Sequence, residues 1–363
     1  MRSQLLLVGL NHRTADVAVR EQLAIPSREL EAVLTTLHRD FAFNEVVVLS
    51  TCNRVEYYVV SSRPAETLSA LQDFLSHRSH LAPEAIHPHL YIRQGDEVIQ
   101  HVFRVAAGLD SMIFGESEIT AQVKQAYAAA LQQGTTGPAL NRLFQKALHA
   151  TKIIRSQTKV AEGQASIGSV VATLARQLFG ERLASCEVLL WGAGKAAEAT
   201  TKHLVASGIS RLWIVNRTQA KAQELASRCQ GDRLCEGGWL SWERALSHLQ
   251  RVDIAIVCTQ APHYVIDHED IKAVAALRRA RPLCVIDLAV PRNVDPSLKS
   301  HPGIHLYNID DLQAIAAESL TRRQEEVAQC EALIAQQVAY CRRGTSINQQ
   351  GDTCLSRESL VSV

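Results

Sequence analysis

Long apolar runs are missing from this chain of 363 residues. No stretch approaches the roughly 18 uninterrupted apolar residues of a membrane-spanning helix, so none is expected. Net charge is nearly absent too. Thirty-eight Lys and Arg stand against 37 Asp and Glu, leaving +1. No global basic field therefore advertises nucleic acid, although a local basic patch stays compatible with so small an average. The nine cysteines are odd in number and show neither CxxC nor Cys/His metal spacing. That excludes a disulfide framework and a metal centre as expectations and favours free thiols in a reducing compartment. Met1 to Leu10 carries one charge and a very short apolar stretch, which reads as a first strand rather than a secretory leader. A cytoplasmic enzyme of bacterial type is the expected setting. Composition is that of an ordinary globular protein, 47% hydrophobic and 21% charged, with length for two or three domains.

What is present is alternation of strand and helix patterns. Leu5–Leu10, Val46–Leu49 and Val55–Val60 read as strands. Helical spacing of apolar residues marks Glu29–His38, Ala65–His77 and Asp96–Ala107. Ile119–Gln133 is rich in Ala and Gln and reads as one helix, stopped by Gly134-Thr135-Thr136-Gly137-Pro138. Another runs from about Ala139 to Ser156. These elements predict an α/β domain over residues 1–158. From Ser169 onward, strands at Val188–Trp191, Leu212–Val215, Ile254–Val257 and Leu283–Leu288 alternate with helices, predicting a doubly wound parallel sheet over 159–309. From Asp310 to Tyr340 there is no Gly or Pro. One long amphipathic helix is expected over 310–344, either an oligomer contact or a helix docked on its own domain. Residues 345–363 turn polar and non-periodic, a tail expected to fray.

Cys52 stands out at the exit of the apolar run Val46-Val47-Val48-Leu49-Ser50-Thr51 and before Asn53-Arg54. A thiol there is placed like a nucleophile, and Arg54 is expected to favour the thiolate. The bland alternative is a small buried hydrophobe, which by itself is the commoner fate of a free cysteine.

Gly192-Ala193-Gly194-Lys195-Ala196-Ala197 falls between a predicted strand and a predicted helix. That context makes it a dinucleotide fingerprint of Rossmann type. The first glycine permits the turn, the second lets backbone approach a pyrophosphate at the helix N-terminus, and Ala197 allows close packing. The next strand ends in Asn216-Arg217-Thr218, without the Asp or Glu of an NAD site. Arg217 can pair with a 2′-phosphate and Thr218 can donate to it, so NADPH is the expected cofactor.

Further segments complete the set: Gly9-Leu10-Asn11-His12-Arg13-Thr14, Leu49 to Glu56, His101 to Ile113, Gly115 to Ile119, Gln122-Val123-Lys124, Asp287-Leu288-Ala289-Val290-Pro291-Arg292 and Asp310-Asp311-Leu312. With these the chain resembles the glutamyl-tRNA reductase family over about residues 5 to 340. The Ser-Thr-Cys-Asn-Arg and Gly-Leu-Asp-Ser motifs are specific; the nucleotide loop is shared by many dehydrogenases. The resemblance implies an N-terminal catalytic domain binding glutamyl-tRNA(Glu), a Rossmann-type NADP-binding domain, and a long helix that serves as a shortened dimerisation domain. It implies that Cys52 takes the glutamyl group from the tRNA as a thioester, which NADPH reduces to glutamate-1-semialdehyde, the first step of 5-aminolevulinate and tetrapyrrole synthesis. Thr51, Asn53, Arg54, Ser111, Glu116, Ser117, Glu118 and Gln122 then match substrate-binding positions. Arg54 would meet a substrate carboxylate and Glu116 the amino group. His101 matches a residue important for activity, as proton donor or orienting group. His12 and Arg13 match without an assigned role. A homodimer is implied, and glutamate-1-semialdehyde aminomutase is a candidate partner.

Three departures from the family pattern bear on these expectations. The stretch Glu116-Ser117-Glu118 has Glu where many members carry Gln, and Lys195-Ala196-Ala197 is one of several variants of the cofactor loop. The long helix stops near Arg343, and a short tail replaces the remainder of the helical domain, so weakened dimerisation is expected. Two other functions stay open on sequence alone. An NADP-dependent dehydrogenase of shikimate dehydrogenase type would explain residues 160–310 and leave Cys52 idle. A tRNA- or protein-binding module without catalysis would bind charged tRNA and oxidise no NADPH.

Overall fold

The computed structural model describes residues 3–158, 160, 166–230, 236–278, 281–321 and 324–347. The first part of the chain runs β1 (Gln4–Asn11), α1 (Val17–Leu23), α2 (Ser27–Arg39), β2 (Glu45–Ser50), β3 (Arg54–Ser61), α3 (Pro64–Ser79), α4 (Pro83–Ile86), β4 (Tyr91–Gln94), α5 (Asp96–Ala107), α6 (Glu118–Gln132) and α7 (Pro138–Gln157). Its strands form an antiparallel sheet in the order β2-β3-β1-β4. Successive side chains of a strand face opposite ways, and β3 shows the consequence. The Tyr57 ring packs edge-on against Phe74 of α3, whereas Tyr58 packs against Phe144 of α7. Helices thus cover both faces of β3, and all eight of its residues are buried.

Local chemistry fixes the helix ends. The Asp16 carboxylate accepts from the Val19 amide at the start of α1, and Gly108, at φ 83°, closes α5 in a conformation that favours glycine. The buried Glu45 carboxylate accepts from the Ala139 and Leu140 amides, filling two of the donors that a helix start leaves open.

The second part runs α8 (Ile167–Phe179), β5 (Glu187–Trp191), α9 (Lys195–Ala206), β6 (Arg211–Val215), α10 (Gln219–Gln230), β7 (Glu236–Leu240), α11 (Trp242–His248), β8 (Ile254–Val257), α12 (His268–Ala275), β9 (Leu283–Asp287) and β10 (Ile304–Tyr307). Its strands are all parallel, in the order β7-β6-β5-β8-β9-β10. The chain reverses direction across the sheet between β5 and β8. In doubly wound sheets that is where ligands bind, beyond the carboxyl ends of the strands.

The C-terminal segment, expected as one long helix that is either an oligomer contact or docked on its own domain, is described in two stretches. It forms α13 (Ile309–Thr321) and α14 (Gln324–Ile347). α13 packs on α8, and α14 packs on α5 and α7. Cys330, Ile334 and Val338, four residues apart, are buried in the core of the first part. The apolar stripe that suggested an oligomer contact therefore covers the chain's own helices. The helix runs to Ile347 rather than stopping near Arg343, and the expected tail from residue 348 lies outside the described residues. Among the described residues no helix is long and apolar enough to cross a membrane.

The two parts also share packing. Val17, Met112 and Ile113 belong to the apolar cluster that includes Val188 of β5 and Ile214 of β6.

Candidate active site

The site grows out of β3. Arg54, Glu56 and Tyr58 alternate along the strand and so share one face. Gly9 of β1 is the partner of Glu56 on one side and of Tyr91 of β4 on the other. A Cβ at Gly9 would come within 2.8 Å of Glu56 Cγ, so only glycine leaves room for the side chains that meet across it. The Tyr91 hydroxyl reaches over Gly9 to Glu56 Oε1 at 2.5 Å. Arg54 Nη1 donates to the same oxygen at 2.7 Å, and His101 Nε2 of α5 contacts it at 2.8 Å. Tyr58 donates to Oε2 at 2.5 Å. Glu56 is fully buried. Burial works against its charge, but Arg54, His101 and the Tyr58 hydroxyl hold its carboxyl well below the usual carboxylate range. With Glu56 ionised, the His101 nitrogen facing it carries the hydrogen. His101 Nδ1 has no hydrogen-bond partner and lies 3.8 Å from Asp110 Oδ2.

Arg54 is 1% exposed, and its second nitrogen donates to the Asp110 carbonyl at 2.6 Å. Asp110 is itself gripped by Arg104. Arg54 thus joins the β2–β3 turn to the loop after α5, bringing Cys52 and Ser111 into one neighbourhood. Thr51 shapes that turn, since its hydroxyl accepts from the Asn53 and Arg54 amides.

Cys52 follows β2 in this turn and is half-buried. The expectation that Arg54 favours its thiolate is corrected here. Burial pushes the thiol up to about 12, Glu116 and Glu118 add to that, and the opposing cation is Arg20. The Arg54 guanidinium is turned along its strand towards Glu56. Arg20, in α1, donates through Nε to the Cys52 carbonyl at 3.1 Å.

Glu116 is raised to about 7 by burial, with Glu118 adding and Ser111 and Arg54 opposing. The Ser111 hydroxyl faces this carboxyl without a hydrogen bond of good geometry. Ser117 is exposed and precedes α6. Gln122, one turn into α6, donates to Glu118 at 3.4 Å. His12 is pushed down to about 4 by burial and by Arg54, Arg13 and Arg20. Its backbone donates to the Asn53 carbonyl at 2.9 Å. Four buried polar atoms of this neighbourhood lack a partner: His12 Nδ1, Asn53 Oδ1, His101 Nδ1 and Ser111 Oγ. Folded proteins leave few such atoms, and a cluster marks a place where a ligand or water completes them. Beside it opens a cavity of about 440 Å³ walled by residues that include Arg13, Tyr91, Arg93, His101 and Asp110; Cys52 is not among its walls. Among the described residues no group of His, Cys, Asp and Glu could hold a metal ion.

Glu56, Tyr58, Tyr91, Arg20 and Asp110 were not singled out as site residues by sequence reasoning. The available signal was a glutamate inside an apolar strand, two residues from an arginine on the same face.

The nucleotide loop lies at the reversal point of the parallel sheet. Gly192, at φ 123°, follows β5, and a Cβ there would lie 2.7 Å from the Cys258 carbonyl after β8. Gly194 begins α9, and a Cβ there would meet nothing within 4 Å. Open space in front of a helix start with unpaired amides suits a phosphate group. Lys195, Ala196 and the buried Ala197 form the first turn of α9. Asn216 follows β6 and donates to the Thr218 carbonyl at 3.0 Å, while Arg217 and Thr218 are exposed. No acidic side chain stands at that strand end.

Comparison with known proteins agrees with both halves. The glutamyl-tRNAGlu reductase N-terminal domain profile matches residues 8–158, and the shikimate/quinate 5-dehydrogenase profile matches 173–315. The glutamyl-tRNA reductase of Solidesulfovibrio magneticus is 40% identical over 338 residues, covering 93% of this chain and 73% of its own. That of Trichlorobacter lovleyi is 36% identical over 334 residues, covering 92% and 75%. The solved glutamyl-tRNA reductase of Methanopyrus kandleri is 33% identical with a TM-score of 0.51, over 95% of this chain and 81% of that one. With both halves matched in order and relatives at this identity spanning most of its length, the chain belongs to the glutamyl-tRNA reductase family of oxidoreductases.

Proposed function

We propose that this chain reduces glutamyl-tRNA(Glu) to glutamate-1-semialdehyde through a thioester on Cys52, as the first step of tetrapyrrole synthesis, with residues 1–158 as the catalytic unit and 159–309 as the NADP-binding unit. The observation that carries the reading is the cluster of four unpartnered polar atoms around the Cys52 turn. A glutamyl ester brings an ammonium, a carboxylate and a polarised carbonyl, which is the complement such a cluster lacks.

In the first step Cys52 Sγ bonds to the ester carbonyl carbon and the carbon–oxygen bond to the tRNA breaks. The thiol proton leaves with the freed ribose hydroxyl. Covalent capture divides a difficult reduction into two easier steps. The resting thiol is protonated, because burial and two carboxyls oppose its ionisation. The substrate ammonium, placed against Glu116 and Glu118, offsets that negative field and lowers the thiol when it is needed. Asn53 and Ser111 would hold the ester, and Thr51, Ser117 and Gln122 would shape the rim. Arg54 supplies the positive field for a substrate carboxylate, although its guanidinium is already held by Glu56 and the Asp110 carbonyl. His101, oriented by Glu56, offers Nδ1 to the reacting oxygen.

Gly192 to Ala197 would hold a dinucleotide pyrophosphate, and Arg217 with Thr218 its 2′-phosphate, which favours NADPH over NADH. Bound there, the cofactor supplies a hydride. The thioester accepts it more readily than an oxygen ester would, because sulfur donates less into the carbonyl.

The test is a single-turnover reaction of the protein with glutamyl-tRNA and NADPH. Semialdehyde is expected from the wild-type chain and none from Cys52→Ser. Semialdehyde from Cys52→Ser at the wild-type rate would overturn the mechanism.

A further inference from the structure

α1 buries Val17 and Leu23 in the apolar clusters of the two parts, and its polar residues touch both halves of the chemistry. Arg20 is 1% exposed and makes three bonds. Nη2 pairs with Asp310, at the start of α13, at 2.8 Å; Nη1 donates to the Ala15 carbonyl at 2.9 Å; and Nε donates to the Cys52 carbonyl at 3.1 Å. The other Asp310 oxygen accepts from the Val17 amide, the first of α1, at 2.8 Å. The next residue, Glu21, takes Arg292 in a forked pair at 2.6 and 3.0 Å and also accepts from the Arg292 amide at 3.1 Å. Arg292 belongs to the loop after β9. Asp287 organises that loop, its carboxylate accepting from the Ala289, Asn293 and Val294 amides. Two motifs that the nucleophile and the nucleotide loop leave without a role, Asp287 to Arg292 and Asp310-Asp311-Leu312, therefore both end on α1.

We propose that α1 sets the register between the nucleophile and the cofactor-binding unit: Glu21–Arg292 clamps it to that unit and Arg20–Asp310 to α13, which packs on α8 of the same unit, while Arg20 holds the backbone of Cys52. Arg20 and Glu21 are positioning residues, acting through the Cys52 carbonyl and the Arg292 loop. A simple adhesive between units would not need the same guanidinium to hold the nucleophile's own backbone. The pairs are largely shielded from solvent, with side-chain exposures of 17% and 19% for Arg292 and Glu21, and forked Arg–carboxylate geometry fixes direction as well as distance. The loop after α5 gives a second tie, because Ser111 is followed by Met112 and Ile113 inside the second unit's apolar cluster.

The inference rests on the proposed thioester chemistry and concerns its second half. Once the thioester exists it has two fates. Hydride transfer to the carbonyl carbon, with breakage of the carbon–sulfur bond, yields the aldehyde and the Cys52 thiolate, which takes a proton from water. Attack by water breaks the same bond and yields glutamate and the thiol. Misregister slows only the first, and displacement by about 1 Å can cost up to about a hundredfold in rate.

The experiment compares wild type, Glu21→Gln, Asp310→Asn and the swapped pair Glu21→Arg with Arg292→Glu. Cys52 acylation is measured without NADPH, and the ratio of glutamate to semialdehyde with NADPH. The single variants are expected to acylate close to the wild-type rate while the ratio shifts towards glutamate by about tenfold or more, and the swap is expected to restore most of it. Acylation in every chain with an unchanged ratio would overturn the role of α1 and leave the thioester reading intact. A parallel fall of acylation and reduction would also overturn it. Failure of the wild-type chain to acylate would overturn the thioester reading itself.

Discussion

Glu56→Gln removes one charge from a fully buried network and leaves its shape almost unchanged. Arg54 and Glu56 are 1% and 0% exposed. Arg54 keeps the Asp110 carbonyl as a partner but loses the counter-charge that it holds at 2.7 Å. Breaking a buried pair by removing one partner costs about 3–5 kcal/mol, because the surviving charge stays in a poor solvent. That is a large share of the roughly 5–15 kcal/mol by which domains are stable. It corresponds to a shift of about a hundredfold to several thousandfold in the unfolding equilibrium. Tyr58→Phe sets the scale, since it removes one donor and leaves Glu56 Oε2 bare, at about 1–3 kcal/mol. The pH dependence follows from the depressed carboxyl of Glu56. Its contribution is fully present above the ordinary carboxylate value of 4.5 and is lost as the pH falls towards the depressed folded value. The gap between wild type and Glu56→Gln should therefore be widest near neutrality and narrow in acid. Urea unfolding of both proteins at several pH values reads it directly. A cost below about 1 kcal/mol at neutrality, or one that does not shrink in acid, would refute the account of Glu56 as the charged hub of the site.

Four further outcomes follow from the geometry of the two sites. Glu116 has its folded value raised to about 7, so its penalty is absent in acid and grows as the pH rises from the unfolded value through 7; Glu116→Gln should stabilise the chain by about 2–3 kcal/mol near pH 8 and hardly at all near pH 4. Alkylation of Cys52 by iodoacetamide, followed by peptide mapping, should be slow in the resting protein and faster in Glu118→Gln, because Glu118 raises the thiol. A Cβ at Gly194 meets open space, so Gly194→Ala should keep the melting temperature and weaken NADPH binding about tenfold or more. Gly192→Ala should lower both, since its Cβ would press on the Cys258 carbonyl at a φ of 123°.

Much of this was legible in the amino acids because strand and helix periods are local. The apolar strands, the helix over Asp96–Ala107 and the nucleotide loop in its strand–helix setting are where the patterns place them. Other elements leave no such mark. α1 has seven residues with Arg20 and Glu21 in its second half, too few for a face to show. β7 carries Gly237 and Gly238, which weaken a strand pattern. Cys52 was recognisable by position, but its charge state depends on where two neighbouring guanidiniums point. Arg54 is two residues away in the chain and turns to Glu56; Arg20, 32 residues away, holds the Cys52 carbonyl.

The central claim is that the sulfur of Cys52 removes the glutamyl group from its tRNA. Intact-mass and peptide-mass analysis of the protein after incubation with glutamyl-tRNA, with NADPH withheld, tests it most directly. The account predicts an added glutamyl group on the peptide that contains Cys52, discharged when NADPH is supplied. An unmodified Cys52 peptide alongside semialdehyde formation in the complete reaction would contradict it.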